Sequence, residues 1–220
     1  MIDSIVVGPI ETNCWIYTWD DPEGNGVSPG CAVIDPGADP DVILSRLKRL
    51  NLRPQYILLT HGHFDHIAAL PDLAEAFKDT VVAIHRDDAH YLGPNAYEIH
   101  RESFTAAAGN ALYVDTLWKD MPAADEILSE GGVIGPFTVL HIPGHTQGSV
   151  GFYDVKAKVL FSGDTLFRGD CGRTDLPGGS WPQIRQSLRR LAALDKDIAV
   201  YPGHGPTTTI GDEAPPMDPD

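Results

Sequence analysis

With 220 residues, 42 % of them hydrophobic, the chain is long enough for a sizeable core and too apolar for a disordered polymer. A net charge of −15, from 16 Lys and Arg against 31 Asp and Glu, disfavours nucleic acid and anionic membrane as partners, because both need basic surface. Cys14, Cys31 and Cys171 form neither a CxxC pair nor a disulfide framework, so a reducing, cytoplasmic setting is expected.

Residues 2–7 are predicted as a strand, and 13–18 as a second with alternating β-formers. A loop dense in Asp, Pro and Gly follows over 20–29, then a short buried strand at 32–34. Asp39 is a plausible N-cap with Pro40 at the first helical position, and Val42, Ile43, Leu47 and Leu50 share one face of that helix. The first Lys or Arg is Arg46, so neither a secretory signal nor a transit peptide is expected. Residues 56–59 read as a buried strand, 60–66 as a His-rich loop, 67–77 as a helix and 81–84 as a strand. Apolar runs of this length are far too short to span a bilayer.

Residues 87–120 are less regular, with a helix expected over 98–108. Strands are expected at 133–134 and 137–142 around a Gly135-Pro136 turn, and a hairpin from 150–153 and 159–162. An amphipathic helix over 181–194 places Ile184, Leu188, Leu191 and Leu194 inward, and 199–201 is the last strand. Residues 1–210 are expected to form one α/β domain of two similar halves, and 211–220 a disordered tail.

The strongest chemical signal is Thr60-His61-Gly62-His63-Phe64-Asp65-His66, between a strand and a helix. Three imidazoles and a carboxylate in six residues suit zinc, iron or manganese. The HxH pair needs an extended loop for both rings to point the same way, and Asp65 and His66 can then face a second ion. Pro143-Gly144-His145, Gly163-Asp164 and Pro202-Gly203-His204-Gly205 each follow a predicted strand and complete two coordination shells.

With HxHxDH, a later His, an Asp and a final His in that order, the sequence resembles the metallo-β-lactamase-fold hydrolase superfamily. Thr12-Asn13-Cys14, Asp35-Pro36-Gly37, Pro143-Gly144-His145-Thr146 and Gly163-Asp164-Thr165 match the wording of its glyoxalase II-like group. The resemblance implies a four-layer αβ/βα sandwich with two divalent ions, zinc first and iron or manganese as alternatives. It assigns His61, His63 and His145 to one ion and Asp65, His66 and His204 to the other, with Asp164 bridging both. Asp65 and Asp164 are the candidate catalytic carboxylates.

The expected reaction is cleavage of a small-molecule thioester or ester by a hydroxide held between the ions. A thiolate, with a pKa near 8.5, can leave without strong acid assistance, whereas an amine needs a proton donor. Glyoxalase II proper carries a helical C-terminal domain and a Glu-Tyr after its last His. Here 16 residues follow His204, beginning Gly205-Pro206, so glutathione specificity is not carried over. Cys171-Gly172-Arg173-Thr174-Asp175 also resembles a loop of the mono-iron persulfide dioxygenases, which makes that activity the alternative. A non-catalytic binding module is a second alternative, which the complete ligand set disfavours. Arg173 is a candidate contact for an anionic substrate group or the partner of Asp170 or Asp175. Cys171 is a candidate at the pocket or a small structural residue. His85, His90, His100 and His141 read as surface or core-edge residues, with His141 as possible support for His145. Tyr91 and Tyr97 fall in the stretch expected to roof the pocket.

Overall fold

A computed structural model describes residues 1–20 and 29–213 of the chain. The first half builds a sheet from β1 (Ile2–Val7), β2 (Thr12–Trp19) and β3 (Gly30–Ile34), followed by helix α1 (Pro40–Arg49) and β4 (Tyr56–Leu58). Short helices α2 (Phe64–Ile67) and α3 (Leu70–Ala76) lead to β5 (Val81–His85). A 3-10 turn over Arg86–Tyr91, helices α4 (Ala96–Ala108) and α5 (Leu112–Leu117), and β6 (Glu126–Leu128) complete this half. The order is β1-β2-β3-β4-β5-β6, antiparallel up to β3 and parallel from there.

The second half repeats the plan with β7 (Val133–Ile134), β8 (Phe137–His141), β9 (Val150–Asp154) and β10 (Val159–Gly163). Helix α6 (Trp181–Ala192) crosses to β11 (Ala199–Pro202), which runs parallel to β10; β12 (Thr208–Thr209) and α7 (Ile210–Glu213) follow.

Alternation along the strands sorts side chains into three cores. Cys14 and Ile16 of β2 face α1 and α3, where Ile43, Leu47, Leu70 and Leu73 meet them. Trp15 and Tyr17 point the other way, into a layer with Phe137, Phe152 and Phe161 of the second sheet. On that sheet's far side, Leu160 and Val200 pack against Ile184, Leu188 and Leu191 of α6. Helix, sheet, sheet and helix therefore form the expected four layers.

Several local expectations are corrected. Asp39 is the N-cap residue of α1 with Pro40 after it, as expected, but it is left-handed and its Oδ2 accepts from Gly8 N (2.8 Å) instead of bonding the first turn of the helix. Val42 is exposed, so the buried face of α1 is Ile43 and Leu47. The helix expected over 67–77 begins earlier, at Phe64, and breaks at Ala68–Ala69, where Pro71 opens a new first turn. β6, β12 and α5 were not foreseen: each is two to six residues long, too short for a periodic signal. Residues 211–213, placed in the tail, belong to α7. The rest of that tail, 214–220, and most of the 20–29 loop lie outside the described residues. No helix among the described residues is long and apolar enough to cross a membrane.

Candidate metal centre

The chemistry-bearing segments meet at one edge of the two sheets, beyond the carboxyl ends of β3, β4, β8, β10 and β11. This is where open α/β sheets generally place ligands. The two halves are joined there. Asn13 N donates to Gly203 O (2.7 Å), and Gly203 N donates to Gly163 O (2.9 Å). A Cβ at Gly203 would run into Asp164 Oδ1, so only glycine lets this strand end approach the carboxylate.

His61, His63 and His145 form one buried group that could hold an ion, with His63 Nδ1 2.8 Å from His145 Nε2. Asp65, His66 and His204 form a second. His66 Nε2 lies 3.2 Å from His204 Nε2 and 3.5 Å from Asp65 Oδ2, and His204 Nε2 lies 3.4 Å from Asp65 Oδ2. Asp164 reaches both groups: Oδ1 is 3.4 Å from His66 Nε2, and Oδ2 is 3.6 Å from His145 Nε2 and 3.5 Å from His204 Nε2. Tetrahedral ligands 2.0–2.1 Å from a zinc ion are about 3.3 Å from one another, so these spacings are near the edges of a coordination polyhedron.

The imidazole tautomers follow from the partners behind the rings. His145 Nδ1 faces Arg173 O (2.8 Å), a carbonyl that can only accept, so Nδ1 carries the proton. His66 Nδ1 donates to Asp35 Oδ2 (3.1 Å). Thr60 Oγ1 donates to that same oxygen (2.6 Å), which leaves it to accept from His61 Nδ1 (3.1 Å). In the neutral rings, all three Nε2 atoms are then bare lone pairs on the side away from these partners. His61 Nε2, His63 Nε2 and Asp164 Oδ1 are buried without a hydrogen-bond partner. Close lone pairs and orphaned buried atoms are costly unless a proton or cation accompanies them. The donor set therefore fits divalent ions.

Charge divides the groups. Burial, with the neighbouring imidazoles, pushes His61 well below the ordinary histidine range. Burial and His145 hold His63 down to about 3. Burial opposes charge on His66 too, but Asp164, Asp65 and Asp35 outweigh it and raise its pKa. His204 is raised likewise, against burial, by Asp65 and Asp164. Asp164 is lowered to about 2, because His66, His145 and His204 outweigh its burial.

Two supporting carboxylates were given no role from the sequence. Asp35 is 1 % exposed and also accepts from Thr60 N (2.8 Å), so it backs one ligand of each group. Asp88, equally buried, accepts from Gly62 N (2.9 Å), Thr146 Oγ1 (2.7 Å) and Gly148 N (2.7 Å), tying the His63 loop to the His145 loop. A lone Asp in a sequence carries no sign of such burial. His141, expected as support, donates Nε2–H to Gln147 O (2.8 Å) in the His145 loop. His85, Asp87 and His141 also gather, but the two rings stack at 4.2 Å and 15°, so their in-plane lone pairs run side by side instead of converging.

A cavity of about 450 Å³ is lined by His63, Asp65, His145, Asp164 and His204. Arg173 is at its wall, with Nε and Nη2 paired to Asp175 at 2.7 and 2.8 Å. Cys171 is half-buried against the α6 core and does not line the cavity. His100 does, and its Nε2–H goes to Tyr91 O (2.8 Å). Tyr91 is buried beside His63, whereas Tyr97 bonds Asp115 at the exposed surface.

The sequence profile of the metallo-beta-lactamase superfamily matches residues 8–204. The chain is 35 % identical to hydroxyacylglutathione hydrolase GloC of Haemophilus influenzae, over 96 % of this chain and 94 % of that one. A crystal structure of BLEG-1, a B3 metallo-beta-lactamase, superposes with a TM-score of 0.81 at 36 % identity, covering 97 % of this chain and 96 % of the other. TTHA1623, solved in a di-iron-bound form, does so at 0.78 and 39 %, covering 97 % of each. From the joined sheets, the two ligand groups and these likenesses, the chain belongs to the metallo-beta-lactamase superfamily.

Proposed function

We propose that the protein is a binuclear metal-dependent hydrolase of thioesters and activated esters. The observation that carries this reading is the pair of three-residue groups sharing Asp164 at the wall of one cavity. His61, His63 and His145 would hold one ion and Asp65, His66 and His204 the other. A solved relative at 39 % identity carries two irons, which supports two sites; zinc and manganese suit the same donors. Bound ions would supply a nucleophilic water at neutral pH and a positive charge for the acyl oxygen.

The chain supplies position and charge. Asp35, Thr60 and the Arg173 carbonyl hold three imidazoles in the tautomer that offers Nε2. Asp65 and Asp164 stay ionised at neutral pH, and Thr12 Oγ1–H donates to Asp65 Oδ2 (3.1 Å), fixing its rotamer. No lysine or tyrosine lines the cavity among the described residues, and His100 commits its Nε2 proton to Tyr91. A leaving amine therefore finds no evident proton donor, while a thiolate needs none.

The test is a panel of thioesters, esters, amides and a β-lactam, with protein loaded with zinc, iron or manganese. Thioesters should be cleaved fastest and amides far more slowly. S-lactoylglutathione and a lactoyl thioester lacking the γ-glutamyl group should agree in kcat/KM within about tenfold. A single iron equivalent, with oxygen uptake on glutathione persulfide and no hydrolysis, would overturn the proposal.

A further inference from the structure

We infer that one arm of the substrate is apolar and uncharged, and lies along α4; this rests on the hydrolase reading above. The cavity has two unlike sides. One is the ligand groups. The other is built from Phe104, Ala107 and Ala108 of α4, Ile10 after β1, and Phe167 and Leu176 after β10. The two are continuous, since the Phe167 ring meets the His204 ring edge-on, with centroids 6.1 Å apart. On α4, Phe104 and Ala108 are four residues apart and share a face, so the aromatic ring and the small alanine form one strip. Alanine at 107 and 108 leaves the strip open where a longer side chain would fill it.

Charge points the same way. Arg173 is the one lysine or arginine among the described residues of the wall, and its guanidinium is engaged in both bonds to Asp175. An anionic arm lying on the strip would have to separate Arg173 from Asp175 to find a side-chain cation there. A neutral hydrocarbon arm avoids that cost and covers the strip. The volume of about 450 Å³ is in the usual range for a small-molecule site.

The experiment uses the metal-loaded full chain and two series of N-acetylcysteamine-type thioesters. One lengthens the acyl chain from acetyl to hexanoyl; the other lengthens the thiol side with acetyl fixed. Non-hydrolysable thioethers of the same lengths are titrated by calorimetry. In at least one series, kcat/KM and analogue affinity should rise about fourfold per methylene until the strip is covered. Ala108→Glu should remove most of that rise. Ala106→Glu, at an exposed position of the same helical turn outside the cavity wall, should keep it. Flat series, or a preference of more than tenfold for an anionic arm, would overturn the inference. If no thioester is turned over but analogue affinity still climbs with length, the hydrolase reading falls and the apolar arm stands.

Discussion

The two ligand groups share one carboxylate yet are prepared in opposite ways. His61, His63 and His145 carry no carboxylate of their own, and burial among other imidazoles keeps His61 and His63 from taking protons. The lone pairs of His61 and His63 are therefore ready near neutral pH. In the other group, Asp65 and Asp164 draw positive charge onto His66 and His204, so without metal these rings keep protons that an arriving ion must displace. On the binuclear reading a cation would satisfy both groups, and in the second it would compete with the protons on His66 and His204. Burial and carboxylate placement should therefore make the first group fill before the second, although five of the seven side chains are the same residue type.

Removing what the groups share should have the largest effect. Asp164→Ala should reduce metal content in both and cut kcat by about a thousandfold or more, read by elemental analysis and thioester turnover. Next comes an asymmetric loss: His204→Ala should empty the second group and leave close to one equivalent in the first. Equal loss from both would erase the distinction. Smaller is Asp35→Asn, which unsettles His66 directly and His61 through Thr60. It should weaken metal affinity about 10–100-fold, while circular dichroism shows the fold intact.

The pH dependence sharpens the comparison further. Raised histidine values mean that lowering the pH from 8 to 6 costs the second group up to about tenfold in affinity per unit for each proton displaced. The first group, where His61 and His63 are held below the ordinary histidine range, should change less over that range. In the metal-free chain, His66 and His204 contribute stability that is complete below the unfolded pKa near 6.5 and is lost as pH rises through their raised values. Chelated protein should therefore melt lower at pH 9 than at pH 7. The smallest effect expected is from Arg173→Ala: its exposed pair with Asp175 is worth little, and turnover of neutral thioesters should stay within about twofold.

Most of the candidate centre was legible because its residues are clustered or flanked by glycine. His61, His63, Asp65 and His66 fall within six positions, and His145, Asp164 and His204 each follow a strand at a Gly-bearing turn. The two α/β halves were legible from the order of strands and helices, whereas the four layers came from the family resemblance. The structure shows them realised by alternation such as Cys14-Trp15-Ile16-Tyr17, where successive side chains enter different cores. Asp35 and Asp88 were not, because their roles come from burial and from hydrogen bonds spanning 25 to 60 residues of chain. The helical start at Phe64 was hidden for another reason: the sequence reads as a ligand loop, and the same residues also make the first turn. Arg173 offered two readings of equal force, and only the distances to Asp175 showed which partner holds its guanidinium.

The most direct test of the paired centre is titration of metal-free protein with zinc at pH 8 and at pH 6, followed by calorimetry and anomalous diffraction. The account predicts two equivalents at pH 8, one among His61, His63 and His145 and one among Asp65, His66 and His204, with Asp164 touching both. At pH 6 the second should weaken far more than the first. One equivalent at both pH values, or two equivalents that weaken together, would contradict it.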